Sequence, residues 1–136
     1  MLEILVIDDE SPRHSWFRNS FDCHLGWTVD SALSSAKALE LLRTRRYHLA
    51  FFDHDLAEHD FTGSDIATRI LMDPDTYHCP QAVWVHSANP VGAENIASKF
   101  RSAQVPTIVS AFGELLATPI ESLRETIENL LKQRDV

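Results

Sequence analysis

Short apolar runs rich in β-branched and aromatic residues alternate along this chain with longer segments whose apolar positions recur every three or four residues. Leu2 to Ile7 is predicted to be a buried strand, after which Ser11 and Pro12 supply a cap and a first-turn proline for a helix reaching about Phe21. Gly26 breaks that helix, and Trp27 to Val29 forms a second strand. From Ser34 to about Arg46 the spacing of Ala36, Leu39 and Leu42 predicts a helix, with arginines at the end where its dipole favours cations. Leu49 to Phe52 is a wholly apolar third strand, and His54 to Thr62, polar and without either period, is a loop. A helix with Ile66, Ala67, Ile70 and Leu71 on one face follows Gly63. Pro74 and Pro80 bracket a turn, Ala82 to Val85 is a fourth strand and His86 to Pro90 a loop. Ile96, Ala97 and Phe100 mark the buried face of the next helix, Thr107 to Val109 a fifth strand. Thr118 and Pro119 open a last helix striped by Ile120, Leu123, Ile127, Leu130 and Leu131.

The order βαβαβαβαβα implies an α/β fold: a parallel five-stranded sheet with helices on both faces, because right-handed crossovers send successive helices to the side their connection dictates. For strand order 2-1-3-4-5, ligands collect beyond the carboxyl ends of the strands, at the switch point between strands one and three. No repeat, linker or low-complexity stretch interrupts the 136 residues, so residues 1–136 are expected to form a single domain.

Composition narrows the chemistry. A net charge of −8 disfavours non-specific binding to duplex nucleic acid, which needs basic surface to displace counterions, but leaves open the recognition of one phosphate group. Cys23 and Cys79 have no metal-ligand spacing and are expected to be free, buried thiols. The opening MLEILVIDDE passes straight from an apolar run into carboxylates, and no run approaches the roughly 20 apolar residues that span a bilayer. A cytoplasmic protein with no membrane association is the expectation.

Polar groups gather where the switch point should be. Asp8, Asp9 and Glu10 follow the first strand, Asp53 ends the third with Asp55 close behind, and His86 and Ser87 end the fourth. Carboxylates packed together repel and drift toward protonation unless a cation lies among them. Asp8, Asp9 and Asp53 are therefore expected to hold a divalent ion, Mg2+ or Mn2+ for all-oxygen donors, with an imidazole tilting the choice toward manganese, iron or zinc. Glu10 is expected to be a solvated first-turn residue. His86 is either a ligand or acid–base group or a loop histidine; beside it Asn89-Pro90-Val91-Gly92 can present backbone amides to an anion at a helix start. His54 and His59 are either surface histidines or site residues. Trp16, Trp27 and Trp84 read as packing residues, and Arg43, Arg45 and Arg46 as a solvated helix end.

ILVIDDE and LAFFD resemble the first and third strands of response-regulator receiver domains, over nearly the whole chain. The resemblance implies a three-layer (βα)5, flavodoxin-like fold in which Asp8 and Asp9 help hold magnesium and Asp53 accepts a phosphoryl group. The main-chain carbonyl of Asp55 would complete the metal shell, and Ser87 stands at the family's hydroxyl position. The family's lysine at the end of strand five would fall near Ser110, where VSAFG has none and its sequence neighbours offer no substitute. The loop from Asp53 to Gly63 is also about two residues longer than the receiver norm and carries His54, Asp55, Glu58, His59 and Asp60. FDHDL, TGSDIA and VHSANPVGAENI resemble more closely the atypical, cyclic-phosphate-processing receivers. That likeness implies roles for Asp8, Asp9, Asp53, His54, Asp55, His86, Ser87 and Asn89 in metal-dependent hydrolysis or processing of a phosphate on a small molecule, nucleotide or RNA end. Asp53, His86 and Ser87 would serve the chemistry, with Ser87 and Asn89 binding phosphate. The competing expectations are a stand-alone phosphoacceptor receiver that signals to a protein partner, and a degenerate receiver used as an interaction module.

Overall fold

The structure, a computed structural model, describes residues 2–22, 24–56 and 61–134. Its strands are β1 (Glu3–Ile7), β2 (Thr28–Ala32), β3 (Leu49–Phe52), β4 (Ala82–Val85) and β5 (Thr107–Val109). They form one sheet in the order β2-β1-β3-β4-β5, every neighbouring pair parallel. The helices are α1 (Ser11–Phe21), α2 (Ser35–Thr44), α3 (Gly63–Met72), α4 (Pro90–Ser102), α5 (Phe112–Ala117) and α6 (Ile120–Arg134). The alternation of patterns predicts the parallel sheet with helices on both faces, and the strand order is that of the flavodoxin-like topology which the resemblance implies. Among the described residues no helix is long and apolar enough to cross a membrane.

Period-two alternation sorts the strand residues between two apolar layers. Ile4, Val6, Leu49, Phe51, Ala82 and Trp84 face α1 and α6, where Phe17, Phe21, Leu123, Ile127 and Leu130 cover them. Leu5, Ile7, Ala50, Phe52, Val83 and Val85 face α2, α3 and α4. Trp27 and Trp84 are buried, and Trp16 packs edge-on against Phe17, Phe21 and Phe112, so all three tryptophans are packing residues.

Helix starts follow local chemistry. Thr62 and Asp65 form a reciprocal capping box at α3, the Thr62 Oγ1 accepting from Asp65 N at 3.2 Å and Asp65 Oδ2 from Thr62 N at 2.8 Å. Ser34 caps α2 by accepting from Lys37 N at 3.2 Å. In α1 the expected cap, Ser11, is instead the first helical residue; Glu10 occupies the cap position, its own amide taken by Asp8 Oδ1 at 2.8 Å. Two short elements were absent from the predicted order: a 3-10 turn at His24–Gly26, with Gly26 at φ +81°, and α5, which buries only Leu115 and so shows no stripe. β2 runs through Asp30 and Ser31 to Ala32, three residues past the expected end, because an edge strand needs only its alternate residues buried. Cys79 is half-buried, not enclosed, with its thiol against the Pro80 carbonyl. Cys23 lies outside the described residues.

Candidate functional site

Strand register places the polar residues that follow each apolar run. Ile7 pairs with Phe52 and Phe52 with Val85, so Asp8, Asp53 and His86 are the next step of three adjacent strands. The ladder continues through them, with Asp53 N donating to Ile7 O and His86 N to Phe52 O, both at 2.9 Å. By alternation all three side chains turn to the α1 side. His54 and Ser87, one residue further, turn to the α3 and α4 side, while Asp9, past the end of β1, stays close to Asp8 and Glu10. The site is therefore two rows of polar groups astride the carboxyl edge of β1, β3 and β4.

In the first row Asp8 and His86 are fully buried and Asp53 nearly so. His86 Nε2 lies 2.8 Å from Asp8 Oδ2. Among the described residues His86 Nδ1 has no hydrogen-bond partner, and the ring packs edge-on against Phe17, Phe51 and Phe112. Burial drives the imidazole toward its neutral form, against the pull of Asp8. The consistent state is Nε2–H donating to an ionised Asp8, with the bare Nδ1 among aromatic rings, where an unpaired acceptor is less costly than an unpaired N–H. For Asp8, burial alone would raise the pKa; bonds from His86 and the Glu10 amide, with the Arg13 charge, outweigh it and hold the carboxyl below its usual range. At Asp53 burial first, and then the Asp8 charge, push the pKa up to about 7; the Asp55 amide and the more distant Arg13 charge pull the other way but do not prevail.

Asp8, Asp9 and Glu10 bring one oxygen each within 4.8 Å of one another. Arg13, one turn into α1, lies across this cluster: Nη1 is 3.3 Å from Asp8 Oδ2 and 3.8 Å from Asp53 Oδ2, Nη2 is 3.0 Å from Glu10 Oε2, and the guanidinium carbon sits 4.9 Å from the Phe112 ring centre. Glu10 is thus exposed, as expected for a first-turn residue, yet ion-paired. His14, buried beneath, meets the Asp8 carbonyl at 2.6 Å.

The second row carries the other imidazole. His54 Nδ1 is 2.9 Å from Asp55 Oδ1, and Asn89 Nδ2 reaches the same carboxylate oxygen at 3.4 Å. Ser87 Oγ accepts from Asn89 N at 3.1 Å, and Asn89 Oδ1 caps α4 by accepting from Gly92 N at 3.0 Å. Two glycines make this packing possible. A Cβ at Gly92 would overlap the His54 ring, and one at Gly63 would overlap the Asp53 carbonyl. The strings TGSDIA and VHSANPVGAENI thus encode a close fit of the α3 and α4 starts around the third-strand loop. The side chain of Asp55 points to His54, while its backbone N–H reaches the Asp53 carboxylate. His59, Glu58 and Asp60 lie outside the described residues. Arg43, Arg45 and Arg46 are exposed at the far end of α2, with Arg45 paired to Asp30.

A family model described as "Cyclic-phosphate processing Receiver domain" matches residues 4–102, nearly three quarters of the sequence. The chain belongs to the cyclic-phosphate-processing receiver family. The match takes in both rows and stops before β5 and α5. No curated protein matches the sequence.

Solved structures share the fold at low identity. A CheY-like response regulator receiver domain from Methanospirillum hungatei is 18% identical with a TM-score of 0.69, covering 99% of this chain and 97% of that one. The receiver domain of a LuxO repressor protein from Vibrio parahaemolyticus is 14% identical with a TM-score of 0.72, covering 98% and 92%. The Thermotoga maritima response regulator TrrA, solved in complex with Mg(2+)-BeF, is 20% identical with a TM-score of 0.59, covering 96% and 99%.

Against the general receiver pattern, this cyclic-phosphate-processing receiver has its cation in a different place. Ser110, where the lysine is missing, accepts a hydrogen bond from Trp84 Nε1 at 2.8 Å. The positive charge beside Asp53 comes instead from Arg13 on α1. Sequence reasoning passed over Arg13; the one signal available was its position three residues after Glu10, on the helix that the acidic run leads into.

Proposed function

We propose that this domain is a metal-dependent phosphoesterase that opens a cyclic phosphate, on a nucleotide or at an RNA end. The observation that carries the reading is the pairing of the two rows: a buried carboxylate row on one side of the strand edge and a hydrogen-bonded imidazole, His54, on the other, in a family whose description names that processing.

The residues suit a divalent ion. Asp8, Asp9, Glu10 and Asp53 supply more negative charge than Arg13 balances, and burial followed by the Asp8 charge drives Asp53 toward protonation. Asp8, Asp9 and Asp53 would hold the ion, with the Asp55 carbonyl as a further oxygen donor. The all-oxygen set fits magnesium or manganese, because the one imidazole in that row, His86, spends its Nε2 on Asp8. When bound, such an ion polarises phosphoryl oxygens and acidifies a coordinated water.

His86, fully buried behind Asp8, acts in this reading by fixing the orientation and charge of that carboxylate, not by exchanging protons with the substrate. The proton carrier is His54, whose Nδ1–H donates to Asp55 and leaves Nε2 free for a leaving oxygen. Asn89 holds Asp55 in place, and Ser87 and Asn89 at the α4 start form the polar wall that takes the phosphate. The test is the opening of 2′,3′-cyclic nucleotides and cyclic-ended RNA with magnesium or manganese. Turnover abolished in Asp53→Asn and cut on the order of a hundredfold in His54→Ala supports the assignment; turnover unchanged in both variants refutes it.

A second reading is favoured by one observation: Asp53 sits at the end of β3 beside Asp8 and Asp9, where receivers keep their phosphoacceptor, and the amide of Asp55 reaches it. Such a domain would signal to a protein partner, and it predicts metal-dependent labelling of Asp53 by acetyl phosphate.

A further inference from the structure

Arg13 reaches the buried acids Asp8 and Asp53. Among the described residues no other lysine or arginine comes within 4 Å of Asp8 or Asp53. Its grip is divided: Nη1 approaches Asp8 and Asp53, Nη2 approaches Glu10, and the guanidinium carbon lies over the Phe112 ring. Its side chain is 24% exposed, so solvent reaches it while the acids beneath are buried. A divalent ion bound by Asp8 and Asp53 would claim the same oxygens and repel the guanidinium from them. The Phe112 contact does not depend on those oxygens, and a cation–π contact leaves the N–H groups of an arginine free to bond elsewhere. A planar fork beside a metal-bound phosphoryl group is suited to two parallel charge-assisted hydrogen bonds.

From this arrangement we infer that Arg13 is a phosphate-binding side chain: paired with Asp8 and Asp53 when no ion is bound, it is displaced by the ion and, still supported by Phe112, holds the phosphoryl oxygens of the substrate. The inference rests on the metal-dependent reading above and adds to it a substrate-binding residue outside the strand-end rows. It also accounts for Ser110. With the cation supplied from α1, the end of β5 is free to accept from Trp84.

The experiment is a pair of titrations on the full chain, each followed by calorimetry: Mn2+ into the metal-free protein, then inorganic phosphate into the manganese-loaded protein. Removing the competing charge in Arg13→Met and Arg13→Gln is expected to tighten manganese binding on the order of tenfold. Phosphate binding should weaken by a similar factor, about the equilibrium worth of one charge-assisted hydrogen bond. Arg13→Lys keeps the charge and should leave manganese affinity within about threefold of wild type, while losing part of the phosphate affinity with the planar fork. Arg18→Met, which removes an exposed arginine bound to Ser31 Oγ at 2.8 Å, controls for overall charge and should change neither constant. Manganese affinity that is equal or weaker in both neutral variants, or phosphate affinity that survives them, overturns the role of Arg13. Manganese binding to none of the proteins overturns the metal site itself and the inference with it.

Discussion

Replacing Asp53 by asparagine should stabilise the metal-free protein, by an amount that grows as pH rises above the ordinary carboxylate range and is complete once the native carboxylate is ionised. Asp53 is 4% exposed, has the Asp8 charge for a neighbour, and is pushed from the ordinary 3.8 up to about 7. Below pH 3.8 the carboxyl carries a proton in both folded and unfolded chains. Between 3.8 and 7 the unfolded chain has lost that proton while the folded one keeps it, so stability falls as pH rises; above 7 the full cost is present. Three pH units at about 1.36 kcal/mol each set an upper limit of about 4 kcal/mol. Local relaxation and the partial screening by Arg13 should bring the measured difference to about 2 kcal/mol. With a urea dependence of about 2 kcal/mol per molar, that is a midpoint shift of about 1 M. The assay is urea denaturation of wild type and Asp53→Asn in chelator at pH 4, 6 and 8. The two midpoints should coincide at pH 4 and separate in favour of the variant by pH 8. Saturating magnesium should then close the gap from the wild-type side, since an ion that binds only the folded state stabilises it by mass action. A difference that does not grow with pH, or a wild type more stable than Asp53→Asn at pH 8, would refute this account of the carboxylate row.

Other positions test the geometry. His86→Ala removes the donor on a buried, ionised Asp8 and leaves a void beside Phe17, and should cost about 3 kcal/mol by denaturant melt at pH 7; a loss under about 1 kcal/mol would show that the pair does not hold the row. Gly63→Ala drives a methyl into the Asp53 carbonyl, a backbone atom that cannot step aside, and should lower stability by at least about 2 kcal/mol in the same melt. At Gly92 the obstacle is the His54 ring, which can rotate away. Gly92→Ala should therefore cost less than about 1.5 kcal/mol, yet reduce cyclic-phosphate turnover about as far as His54→Ala does; full turnover in that variant would detach His54 from the reaction.

Most of the sheet edge was legible in the sequence because an apolar run of known parity fixes where the next residues point. IDD, FDH and VHS each carry a polar residue one step past the apolar run on the α1 face, so the convergence of Asp8, Asp53 and His86 follows from alternation and strand order alone. The depth of His86 was not legible: the same alternation that delivers it to the row also continues the parity of Ala82 and Trp84 into the aromatic layer over α1. Arg13 was hidden for a different reason. A long side chain reaching from a helix across two strands depends on how α1 lies on the sheet, which the local pattern does not encode. Its support, Phe112, belongs to a six-residue helix with one buried side chain and no periodic signal.

The central claim is that the two rows together open a cyclic phosphate. The most direct measurement is phosphorus NMR of a 2′,3′-cyclic nucleotide incubated with wild-type protein and manganese, alongside Asp53→Asn. The account predicts conversion of the cyclic resonance into that of a phosphomonoester by wild type, with none by the variant. A cyclic resonance that persists with wild-type protein while calorimetry shows the metal bound would contradict it.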